Sequence, residues 1–162
     1  MTILIWLENQ TWSVALRESI WTYPIIESIH VLTIAIFVGF AVMLDLRLLG
    51  VFMTRRPVSQ VSAAYLPRTH AAFGIMLISG VLLFYAKPHE TVSNVFFQVK
   101  ALFFVVAMAN IYWFHRIVST NISVWDLDPV PPLRVRVAGT LSIVCWLVVV
   151  ACGRLIAYNW FK

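Results

Sequence analysis

The chain has 162 residues, of which 61% are hydrophobic and 12% charged, against roughly 25% charged in ordinary soluble domains. That balance excludes a water-soluble globular protein. The net charge of +5 could suggest a nucleic-acid binder, but a membrane protein places basic residues in its loops for topological reasons. Lipid is therefore the expected surrounding, with no nucleic acid among the partners.

Residues 1–20 hold Trp6 and Trp12 among apolar positions interrupted by Glu8, Arg17 and Glu18. A cleaved signal peptide would need a basic start and an unbroken apolar run, and neither is present. Amphipathic rings collect at headgroup level, so the expected element is a short interfacial helix. Pro24 suits the helix start that follows it.

The first span is expected over about 23–52. It carries Glu27, His30, Asp45 and Arg47, and ionisable groups at membrane depth are functional candidates by default. A linker from Thr54 to Arg68 contains Pro57 and Pro67 around a short surface helix beginning at Ser59. Further spans are expected over about 69–86, 95–118 and 135–158, with His89 in the turn after Pro88. The last span is followed by Trp160 and Phe161. The fold class is thus an all-α integral membrane four-helix bundle, a single transmembrane domain over 1–162.

Seven arginines, Arg47, Arg55, Arg56, Arg68, Arg116, Arg134 and Arg136, gather where the first span exits. The other side has Arg17, Lys87 and Lys162 in loops, with Lys100 and Arg154 inside spans. The excess of basic loops marks the cytoplasmic side, which puts both termini of a multi-pass inner-membrane protein in the periplasm.

Alternating span direction then sorts the polar groups by depth. Glu27, His30, Lys100 and Arg154 form an outer layer, and Asp45, His70, His115 and Arg136 an inner one, where Asp45 can meet Arg136. His30 and Asp45 are 15 residues apart, as are Lys100 and His115, about 60° from alignment on a helix. Each helix can therefore turn one polar stripe inward.

Glu27 and His30 stand at i and i+3, a spacing that points a carboxylate and an imidazole at one metal. The structural alternative is that Glu27 pairs with Lys100 or Arg154 while His30 hydrogen-bonds a neighbouring helix. His30 is the leading imidazole ligand for haem iron or copper, with Glu27 beside it in the copper case. His70 and His115, on different helices at similar depth, offer the two imidazoles of a six-coordinate b-type haem; placement at a helix end next to Arg116 gives His115 an interfacial role as the alternative. Cys145 and Cys152, seven residues apart in an apolar run, are expected to be packing residues. No Ser, His and acid trio shares one depth and no glycine-rich phosphate loop occurs, so catalytic residues are not assigned.

The segments YPIIESIH and LDLRLLG of the first span, with FQVKALFFVVAMANIYWFHR of the third, resemble an uncharacterised family of small bacterial inner-membrane proteins over nearly the whole chain. A looser likeness runs to the membrane protoporphyrinogen oxidases, whose first-span histidine and third-span lysine are matched by His30 and Lys100; it implies b-type haem. Another runs to the copper-resistance membrane protein D family through Lys100 and Asn110; it implies copper handling. The expected function is haem b binding in electron transfer or membrane redox chemistry with a periplasmic or membrane redox partner. The alternatives are copper binding or transport, and an accessory subunit without cofactor.

Overall fold

The computed structural model describes residues 2–118, 120 and 122–158; Trp160, Phe161 and Lys162 lie outside the described residues. Eight α-helices and no strand occur among them: α1 (Thr2–Glu8), α2 (Thr11–Glu18), α3 (Thr22–Leu48), α4 (Val58–Ala86), α5 (Pro88–Ser93), α6 (Val95–Trp113), α7 (Ile122–Trp125) and α8 (Leu133–Leu155). α3, α4, α8 and the segment Val95–Arg116 are long and apolar enough to cross a membrane. They remain apolar on faces turned away from the bundle, as at Ile29, Leu32, Ile78, Leu102, Val105 and Leu147, all exposed. A helix apolar all round needs lipid on its outer face. The chain is a multi-pass membrane protein.

α3 packs along α4, α6 along α8, and α3 meets α8; stacked rings of Phe73 with Phe104 and Phe84 with Phe97 bring α4 to α6. The main core gathers Phe37, Met76, Ala107, Cys145 and Trp146. The Phe37 and Trp146 rings meet edge to face at 4.6 Å. Cys145 and Cys152 are both buried and free, as expected of packing residues. α3 and α8 approach closely at Gly139, where a Cβ would stand 3.1 Å from the Asp45 carbonyl oxygen.

The helix ends depart from the sequence reading for local reasons. α3 stops at Leu48 rather than near Phe52, because Gly50 adopts φ 73°. The Gly50 N–H donates to the Arg47 carbonyl and the Val51 N–H to the Leu46 carbonyl, a C-terminal cap that needs a left-handed residue. α4 runs through Pro67 as one helix of 29 residues, so the expected surface helix and second span are continuous. The proline removes one backbone donor, while the Arg68 guanidinium donates to the Ala64 carbonyl and Thr69 Oγ1 to the Tyr65 carbonyl at 2.9 Å. At 1.5 Å per residue α4 is about 44 Å long, more than the ~30 Å hydrocarbon core. His89 lies within α5 rather than in a turn.

The interfacial segment forms two short helices. Ser13, fully buried, donates to the Tyr85 carbonyl at 2.7 Å, and Trp12 packs edge-on against the Tyr85 ring. This docks α2 on the end of α4 while Trp6 and Trp21 stay exposed.

At the opposite face a clasp joins the two helical hairpins. The fully buried Arg47 donates from Nε to the Arg56 carbonyl at 2.9 Å, and from Nη2 to the carbonyls of Asp128 at 3.1 Å and Asp126 at 3.3 Å. The Asp126 carboxylate accepts from the Ser59 N–H at 2.7 Å and its hydroxyl at 2.6 Å. Slight burial works against the Asp126 charge, but these bonds and the Arg47 guanidinium outweigh it and hold the carboxyl below the usual range. A group with a depressed pKa stabilises above its unfolded value of about 3.9 and loses that contribution as pH falls through the folded one. The loop clasp is therefore expected to loosen below about pH 4, read as faster proteolysis between α7 and α8. Asp126→Asn should remove that acid dependence.

Candidate functional site

Antiparallel packing turns two sets of polar residues toward the bundle at different depths. In the first, His30 extends from α3 to α4. Its Nδ1 lies 3.1 Å from the Met76 carbonyl oxygen and 2.9 Å from Ser79 Oγ. A carbonyl only accepts, so Nδ1 carries the hydrogen; the Ser79 hydroxyl in turn donates to the Ile75 carbonyl at 2.8 Å. That assignment, made from the hydrogen-bond network, leaves Nε2 with its lone pair. The ring lies on Gly80, whose added Cβ would stand 3.0 Å from His30 Cε1. Only a residue without a side chain lets the imidazole approach α4 this closely.

Lys100 of α6 lies within electrostatic range of His30. It faces Gly153 of α8, where a Cβ would stand 3.6 Å from Nζ, and it is also in range of Cys152. Glu27 and Arg154, assigned by sequence to the same layer, are both exposed. Glu27 is near Tyr23 at the end of α3, and neither residue takes part in the two ion pairs found among the described residues, Arg17 with Glu8 and Lys87 with Glu90. No group of three His, Cys, Asp or Glu side chains suited to a metal occurs among the described residues.

The second layer borders a half-open cavity of about 320 Å³ between α3, α4, α6 and α8. His70 and His115, in electrostatic range of each other, are exposed at its margin, and Asp45 and Asn110 line it from buried positions. His115 belongs to a π-helical turn, Phe114–Val118, that continues α6; such turns recur at functional sites. Ser142 hydrogen-bonds the Asp45 carboxylate, but Asp45 Oδ2 is buried without a partner. The Asn110 amide donates from Nδ2 to the Ala138 carbonyl at 2.9 Å, which fixes its orientation, and Oδ1 is likewise buried without a partner.

Arg136 is exposed and is not the partner of Asp45. It lies six residues before Ser142 on α8, about 9 Å along the axis. Ser79 and Ser142 were not singled out by sequence. A serine in an apolar run usually back-bonds to its own helix, and Ser79 does so while also meeting His30. His30 does not border the cavity, so the two layers are separate sites.

Residues 20–159 match the family model of DUF6644, a family of unknown function. The chain belongs to that family. This meets the expectation of an uncharacterised membrane family from the first and third spans. Comparisons with curated proteins and with solved structures found no match.

Proposed function

We propose that this DUF6644 protein is an inner-membrane electron-transfer protein that binds b-type haem through His30, with both termini in the periplasm. The observation that carries the reading is the His30 hydrogen-bond pattern: Nδ1–H held by the Met76 carbonyl and Ser79, with Nε2 left as a donor nitrogen. Metal-ligating histidines are held this way, because the second bond fixes the tautomer and raises ligand basicity. Lys100 in the same layer is a cation for a propionate carboxylate, and the glycines facing His30 and Lys100 keep side chains out of the space beside them. Haem b, when bound, supplies a one-electron couple; the chain supplies the imidazole, its orientation and the neutralising charge. The basic side of the loops supports the orientation.

The test is the absorbance spectrum of the protein purified from its own membranes, with pyridine extraction of haem. A Soret band and haem in proportion to protein are expected. Absence of both would overturn the reading, and retained copper without haem would put copper at His30 in its place. Gly80→Ala should lower haem content without reducing helical circular dichroism, because the added methyl displaces the imidazole rather than the helix.

A further inference from the structure

The cavity of the second layer combines two features that are costly apart and complementary together. Asp45 and Asn110 are each about 94% buried, with relative exposures of 6%, and each keeps an oxygen that accepts no hydrogen bond. An unsatisfied buried acceptor costs about 1–3 kcal/mol, and two on one cavity are not explained by helix packing, since Ser142 and Ala138 already occupy their other polar atoms. The missing partner is a hydrogen-bond donor. Beside them the wall is aromatic, with Phe37 and Trp146 crossed edge to face, an arrangement suited to the face and edge of a flat ring.

From these we infer that the cavity is a binding site for the dihydroxy-aromatic headgroup of a lipid-soluble quinol. One hydroxyl donates to Asp45 Oδ2 and the other to Asn110 Oδ1, and the ring lies against Phe37 and Trp146. A volume of about 320 Å³ is at the lower end of small-molecule pockets, roughly 300–1,000 Å³, which suits one substituted ring. The cavity is half open, which leaves a way out for an alkyl tail. The reduced ring is preferred over the oxidised one, because a quinone has carbonyls where the site needs donors. This site does not depend on haem at His30, and its test reads binding alone.

The full-length protein in nanodiscs is titrated with a decyl-chain benzoquinol under anaerobic conditions and, separately, with the corresponding quinone, by calorimetry. The expected result is saturable binding with the quinol favoured at least tenfold, the difference of about one well-made hydrogen bond to a charged or buried acceptor. Asp45→Asn replaces an acceptor with a donor of the same shape and should reduce or reverse that preference, while Asn110→Leu should weaken quinol binding about tenfold or more. His89→Ala, on α5, should leave both titrations unchanged, and saturable quinol binding by protein that carries no haem separates this site from the haem reading. Unchanged helical circular dichroism and elution volume show that each variant is folded. No saturable binding, equal binding of both oxidation states, or a preference that survives Asp45→Asn in folded protein would overturn the inference.

Discussion

Arg47→Ala is expected to lower stability by about 3 kcal/mol or more. The guanidinium is fully buried and makes three hydrogen bonds of 2.9–3.3 Å to the carbonyls of Arg56, Asp126 and Asp128. Hydrogen bonds to charged groups contribute roughly 1.5–3 kcal/mol each. Part of this is offset in the native protein, because Arg47 Nη1 is buried without a partner. Arg47→Lys should recover only part of the loss, since an ammonium cannot reproduce the planar fork that reaches two loops at once. The measurement is the melting temperature in detergent by loss of the monodisperse elution peak. Equal melting of wild type and Arg47→Ala would contradict the clasp.

The second large effect is expected at His30, where substitution by alanine should remove haem almost completely and leave the fold in place. The neighbouring groups explain the difference. Without the imidazole, Ser79 Oγ still donates to the Ile75 carbonyl at 2.8 Å or the Met76 carbonyl at 3.0 Å, and α3 keeps its own backbone bonds. The cost to stability is then that of ordinary hydrogen bonds, about 1 kcal/mol. Axial ligation has no such substitute from Glu27, which is exposed. Lys100→Met should have a smaller effect, weakening haem retention while the Soret band persists. Loss of haem on substitution of His70 or His115 instead of His30 would contradict the assignment.

Much of the architecture is legible in the sequence because four apolar runs of membrane length leave no alternative to crossing helices. The boundaries are less so. Gly50 ends α3 through a backbone conformation that a hydropathy profile does not register, and α4 runs on through Pro67 as one helix. Depth was readable from alternating span direction: it placed Lys100 with His30 and His115 with His70, and both pairs are within electrostatic range. Facing was harder. Glu27 lies one turn from His30 yet points outward, and Arg136 lies about 9 Å along α8 from the serine that meets Asp45. The cavity has no signature in the chain, since it depends on how α3, α6 and α8 pack around Asp45, Asn110 and Ala138. Ser79, which meets His30 Nδ1 at 2.9 Å, is one hydroxyl in an apolar run and becomes visible only when α4 is laid against α3.

Chemical rescue of His30 gives the most direct test that this imidazole is a ligand. His30→Gly is purified with and without free imidazole, and haem content per protein is measured with the reduced-minus-oxidised spectrum. The account predicts little haem without imidazole and a restored b-type spectrum with it, while His89→Gly, on α5, matches wild type throughout. Full haem content in His30→Gly without imidazole would contradict it.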